Sequence, residues 1–273
     1  RAGLAVSAHL TRASVTRIVE ELLAAGLVYE SASRTRQVGR SPILLRIRGD
    51  ARFVAGVNLR RGSVDVGFVT LGGEVLAHRS LPMDGTPACA QLDRMARALS
   101  DQRGQLGLDP ERILGIGISA PGPLDVRSGV LLTPPNFDAW HHIPIADELR
   151  GRTGWPSRLE NVSNALALET RYFGTGRGLD SFMALQVNEG IGAGIVLGGQ
   201  LYRGAYGLGG EVGHTSIAWD GLPCECGQVG CLEKYAAMPS LLAGTPYASW
   251  SAVMDALPHA QAARRLLDLE ASY

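Results

Sequence analysis

Three of the four cysteines, Cys224, Cys226 and Cys231, fall within eight residues, and His214 stands ten residues before the first of them. Gly221, Gly227 and Gly230 supply tight turns between them. Zn²⁺ takes four tetrahedral N or S ligands, and three thiolates with one imidazole fill all four positions. No position remains for an activated water, so the expected zinc is structural rather than hydrolytic. The competing reading, cysteines as small core residues, leaves the C-x-C-x₄-C spacing and the upstream histidine unexplained. Glu211 and Glu233 each sit two or three residues from a ligand. A metal would fix both carboxylates facing the space beside the knuckle; without that tie they read as solvated surface.

Other groups suited to a small ligand precede the knuckle. Gly122, in the Gly/Pro turn of residues 119–125, permits close backbone approach. Asn136 and Trp140 offer an amide and a flat apolar surface suited to a sugar, although both segments read equally as loop packing. Asn161 stands where a strand gives way to a helix, so its amide can meet a sugar or cap that helix.

These groups need an α/β scaffold. From Phe53 the pattern alternates through three strands joined at residues 60–62 and 72–73, which predicts an antiparallel meander. Residues 88–106 carry the period of an amphipathic helix. Residues 113–120 read as a buried strand, residues 159–174 as a strand end and helix, and residues 182–187 and 195–197 as strands around a turn carrying Gly190, Gly192 and Gly194.

The 273 residues balance 26 basic against 26 acidic side chains, so net charge names no partner. The length predicts two or three domains. No apolar run reaches about eighteen residues and no signal-like start is present, so no membrane role is expected. Clustered cysteines fit a reducing cytoplasm. The first residue is Arg1, which points to an excised or incomplete chain.

Residues 1–50 hold eight arginines against Glu20, Glu21, Glu30 and Asp50. Thr11 is a candidate N-cap and Gly26 a candidate stop for a helix over residues 12–24, with Val15, Ile18, Val19, Leu22 and Leu23 on its apolar face. Leu4, Ala5 and Leu10 predict a shorter helix and turn packed against it. Two short strands, residues 27–30 and 43–47, flank an arginine-bearing loop. This is the pattern of a helix-turn-helix with a β wing. Arg12, Ser14, Thr16 and Arg17 would meet base edges, and Arg34, Arg36 and Arg40 would meet phosphates or a minor groove. A small helical hairpin is also a common structural module; the arginine excess favours DNA.

The N-terminal segment LTRASVTRIVEELLAAGLVYE resembles the winged-helix start of ROK-family regulators (repressors, open reading frames, kinases) and of several other bacterial repressor families. The segments SAPGPLD, PNFDAW, ENVSNA, GIGAGIVLGGQLYRG, GGEVGH and CECGQVGCLE follow in the order and spacing of the ROK family. The resemblance implies a two-lobed actin-like ATPase fold of sugar-kinase type, truncated at both ends. It divides the chain into a winged helix-turn-helix over 1–50, a first lobe over 51–178 and a second over 179–273. It implies zinc at His214, Cys224, Cys226 and Cys231, and sugar contacts from Asn161, Glu211, His214 and Glu233, beside the candidate Asn136.

Family kinases place an acidic residue and a Gly-Gly-Thr phosphate turn in the first hairpin; the ungapped register gives Asn58, Arg60, Arg61 and Gly62. They carry Asn-Asp where this chain has Asn161-Val162, and that aspartate is their general base. A threonine near their nucleotide becomes Glu189. A valine accepts no proton. The expected protein is therefore a non-enzymatic, sugar-responsive transcriptional regulator of carbohydrate metabolism. It would be a repressor that binds operator DNA as a homodimer or higher oligomer and takes a sugar or sugar phosphate as effector. The alternative is an ATP-dependent sugar kinase.

Overall fold

Two short helices, α1 (Ala2–Ser7) and α2 (Arg12–Ala24), open the chain in the computed structural model, which describes residues 2–32, 43–135 and 137–256. Thr11 is extended, and its Oγ1 accepts the Ser14 N–H at 3.1 Å, so α2 starts at the predicted cap. Gly26 stops it, adopting φ +67°, a conformation that costs a glycine nothing. Val15 and Val19 are buried with Ala5 of α1, and Leu23 and Leu45 pack against them. Ile18, Leu4 and Leu10 are exposed instead. The buried stripe is narrower than predicted, because six residues of α1 cover only one line of the longer helix. Strands β1 (Val28–Ala32) and β2 (Ile43–Ile47) pair antiparallel. Residues 33–42, with Arg34, Arg36 and Arg40, lie outside the described residues.

These elements belong to the first of two compact units, Arg1–Ile118 with Ile145–Arg158. The predicted meander follows as β3 (Phe53–Arg60), β4 (Ser63–Thr70) and β5 (Val75–Pro82), each antiparallel to the next. Burial alternates along β3 and β4, with Phe53, Ala55, Val57, Leu59, Val64, Val66 and Phe68 on the inner face. Helix α3 (Ala88–Leu106) has Leu92, Met95 and Leu99 buried, each such side chain contributing about 1.5–3 kcal/mol. Gln102, buried on the same helix, donates to the Val66 carbonyl at 3.5 Å. After β6 (Ile113–Ala120) the chain enters the second unit for a two-residue-strand hairpin, β7 (Leu124–Asp125) and β8 (Val130–Leu131). It then returns as α4 (Ile145–Thr153) and β9 (Ser157–Asn161). Arg152 joins α4 to α3 through Asp93 at 2.7 Å, and also meets Glu148 one turn back. The large sheet has the order β5-β4-β3-β6-β9.

The second unit is Ser119–Pro144 with Leu159–Tyr273. Helix α5 (Val162–Tyr172) begins directly after β9. Strands β10 (Phe182–Val187), β11 (Ile191–Leu197) and β12 (Gln200–Tyr202) form an antiparallel sheet. Gly192 and Gly194 fall inside β11 rather than in a turn. A side chain at Gly194 would run into the Ser163 carbonyl and Ala167, so the missing side chains let α5 seat on the sheet. Residues 203–232 form a strap of turns leading to α6 (Glu233–Ala236), α7 (Met238–Leu242) and α8 (Trp250–Ala256). Ile191, Ala236 and Ala237 form one buried cluster there, and Leu241 with Val253 another. Among the described residues no helix is long and apolar enough to cross a membrane.

Candidate metal centre and paired carboxylates

Within the strap, isolated β-bridges join Ser216 to Cys231 and Pro223 to Val229, folding the cysteine segment back on itself. The Cys224 N–H donates to Gln228 O at 2.9 Å, and the Gly227 N–H to Cys224 O at 3.0 Å. The closed turn brings one atom each of His214, Cys224, Cys226 and Cys231 within 4.8 Å of one another, so the cluster could hold a metal ion. His214 Nδ1 lies 3.6 Å from Cys224 Sγ, and Cys226 Sγ lies 3.6 Å from Cys231 Sγ. Metal–thiolate bonds of about 2.3 Å and metal–imidazole bonds of about 2.0 Å give a tetrahedron with edges of about 3.5–3.8 Å. These two pairs thus stand at the separation such a tetrahedron requires. Burial pushes the Cys224 thiol up, and the Cys231 thiol to about 12. A cation at the centre would supply the opposing charge.

His214 faces two ways. With Nδ1 at the cluster, Nε2 faces Glu211, whose Oε2 lies 4.0 Å away. Glu211 precedes the one-turn helix containing His214. Burial raises its pKa, His214 opposes that shift, and the like charge of Glu233 adds to it. Glu233 opens α6, and its Oε2 accepts the Ile191 N–H at 2.8 Å. A Cβ on Gly190 would stand 2.6 Å from the same oxygen. Gly190 therefore makes room for a carboxylate rather than merely turning the chain, which sequence reasoning missed; its position just before a strand was the only signal.

Asn161 caps α5. Its Oδ1 accepts the N–H groups of Ser163 at 2.8 Å and Asn164 at 3.4 Å, which leaves Nδ2 for a ligand. A Cβ built on Gly122 would lie 3.6 Å from Asn161 Nδ2 and 3.8 Å from Glu211 Oε1, so these two groups converge on that glycine. Asn136 lies outside the described residues. Trp140 is only 2% exposed. Its ring belongs to the packing, and its face is not available to a sugar as the sequence suggested. Two carboxylates, an imidazole nitrogen and an amide N–H are acceptors and donors of the kind that hydroxyl groups take.

Val162 is the first residue of α5. The nearest carboxylate in sequence, Glu160, is saturated. Its Oε1 accepts from the Asn161 N–H and Asn164 Nδ2, each at 3.0 Å. Its Oε2 accepts from Arg203 Nε at 3.0 Å and Nη2 at 2.6 Å. In the first unit, Arg60 is paired with Asp65 at 2.9 Å, and His78 Nε2 lies 3.3 Å from the same carboxylate. Asp65 was not singled out from the sequence.

On α2, Arg12 and Arg17 are exposed. Arg12 borders a groove with Gly3, Ala5, Val6, His9 and Leu10. Arg17 lies 3.6 Å from Glu21, one turn on. The Ser14 hydroxyl meets Thr11 Oγ1 at 2.9 Å, and Thr16 Oγ1 donates to Arg12 O at 2.9 Å. Both hydroxyls are thus engaged locally, with acceptor capacity left over.

Residues 54–256 match the ROK family model. A putative xylose repressor of Caldicellulosiruptor sp. (strain Rt8B.4) is 32% identical over 89% of this chain and 61% of its own length. The glucokinase of Thermotoga maritima is 36% identical over 68% of this chain and 57% of its own. The chain thus spans about three fifths of the length of these relatives. The crystal structure of a ROK-family transcriptional regulator, a homologue of the E. coli MLC protein, superposes with a TM-score of 0.78. It has 26% identity and covers 98% of this chain and 72% of that one. A ROK glucokinase from Streptomyces griseus, solved with glucose and AMPPNP, gives 0.71 at 27% identity, over 80% of this chain and 75% of its own.

Proposed function

The chain belongs to the ROK family, and from that membership we propose a sugar-responsive DNA-binding repressor of carbohydrate-metabolism genes that binds a sugar or sugar phosphate without phosphorylating it. The observation that carries this reading is Val162 at the start of α5, directly after Asn161. An isopropyl group neither accepts the proton of an attacking hydroxyl nor orients it. Glu160 is no substitute, because four donors occupy its two oxygens. Arg60, standing where family kinases resemble one another in a glycine turn, is bound into its own hairpin by Asp65. The xylose repressor and regulator relatives support the same assignment.

In this reading the ion at His214, Cys224, Cys226 and Cys231 is structural zinc. Asn161, Glu211, His214 and Glu233, with Asn136, hold the effector. Residues 1–50 form a winged helix-turn-helix that presents Arg12, Ser14, Thr16 and Arg17 to base edges and Arg34, Arg36 and Arg40 to the backbone. Residues 51–178 and 179–273 form the two lobes. A cytoplasmic homodimer would read a two-fold operator. Sugar shifts DNA affinity only as far as it binds one state better than the other.

The deciding experiment uses the full-length protein, an operator mobility-shift titration with xylose, glucose and their phosphates, and a coupled ADP-release assay. A sugar that changes operator affinity with no ADP release is the expected result. ADP release dependent on any of these sugars would overturn the assignment.

A further inference from the structure

Glu160 is 16% exposed in its side chain, and Arg203, 43 residues further on, is 43% exposed. The Arg203 guanidinium reaches one Glu160 oxygen with two nitrogens, while the other oxygen takes the Asn161 backbone N–H and the Asn164 side-chain amide. Asn164 is 2% exposed and caps this network from inside. Asn161 is therefore held at its backbone by Glu160 and at its Oδ1 by the first turn of α5, which fixes where Nδ2 points.

Arg203 also stands at the root of the segment that delivers Glu211. Its carbonyl accepts the Gly209 N–H at 2.9 Å, closing a loop over residues 203–209. The next residue, Gly210, has φ +89° and accepts the Ala193 N–H at 2.8 Å through its carbonyl, fixing the backbone immediately before Glu211. One side chain thus links the strand that presents Asn161 to the loop that presents Glu211. We propose that Arg203 is a positioning residue for the effector, acting through Glu160 to hold Asn161 Nδ2 against Glu211. This rests on the reading that Asn161 and Glu211 take sugar hydroxyls. Lysine would keep the charge but lose the planar fork.

The test compares full-length wild type with Arg203→Met and Arg203→Lys, using calorimetric titration with xylose and glucose, metal analysis and hydrogen exchange. Arg203→Met is expected to weaken sugar binding about tenfold and to speed amide exchange at Ser163 and Asn164 by a similar factor. Zinc content and exchange at Ile191 should stay at wild-type levels, and Arg203→Lys should recover part of the affinity. Unchanged affinity in Arg203→Met overturns the inference, and so does a loss of zinc or of Ile191 protection in parallel with affinity, which marks a general structural role. Wild type that binds neither sugar sinks the sugar reading; exchange at Ser163 and Asn164 then decides the positioning role alone, and equal rates in wild type and Arg203→Met overturn it.

Discussion

The Nε2 of His214 lies 4.0 Å from Oε2 of Glu211, while the Nδ1 of the same ring lies 3.6 Å from Cys224 Sγ. One imidazole therefore lies between the His/Cys cluster and Glu211.

If the cluster holds zinc, replacing the fully buried Cys231 should release it and loosen the strap. Cys231→Ala is expected to retain under about half an equivalent of zinc. A loss of about 3 kcal/mol would lower the melting temperature by roughly 6–12 °C in a protein of this size. Metal analysis with thermal denaturation checks both, and a full equivalent of zinc in the variant would remove Cys231 from the ligand set.

Gly190→Ala places a methyl group 2.6 Å from Glu233 Oε2, so the carboxylate must swing off the Ile191 N–H. Sugar binding should weaken about tenfold with zinc content unchanged, because no metal ligand moves. Calorimetry on the variant reads this directly, and wild-type affinity would show that Glu233 needs no such seat.

Val162→Asp restores a carboxylate at the first position of α5, where the helix dipole favours it by about 0.3–1 kcal/mol. No sugar-dependent ADP release is expected even so, because Arg60 remains paired to Asp65 in the hairpin. Turnover in this single variant would place the barrier to phosphoryl transfer at residue 162 alone.

Thr11→Ala removes the oxygen that accepts the Ser14 N–H and should cost α2 about 1 kcal/mol. Operator affinity is expected to fall about fivefold if α2 is the helix that reads DNA. Mobility-shift titration decides, and an unchanged midpoint would argue that α2 is not that helix.

Local patterns carried much of this arrangement in the sequence. The bounds of α2 follow from Thr11 and Gly26, the meander from strict alternation, and the metal donors from cysteine spacing, because each depends on neighbours along the chain. What the sequence hid depends on partners far apart. Nothing near Glu160 announces Arg203, and nothing near Arg60 shows that Asp65 will take its charge. Trp140 looked like a ligand surface because an aromatic ring has the same sequence signature in a core as in a site. Gly192 and Gly194 read as a turn because glycine signals missing bulk without saying whether the chain bends there or another element needs the room.

Strand β11 begins with Ile191, Gly192 and Ala193, and it is held there from two sides: Gly210 O in the strap takes the Ala193 N–H, and Glu233 Oε2 at the start of α6 takes the Ile191 N–H. Side-chain direction alternates along a strand, so one residue inserted between these two anchors would reverse every contact that follows. Between Thr215 and Pro223 the strap is itself paired, Ser216 with Cys231 and Pro223 with Val229, so extra residues there would shift the cysteine segment against its partner. Length variation in this molecule should therefore be rejected both at the start of β11 and along the paired arm of the strap.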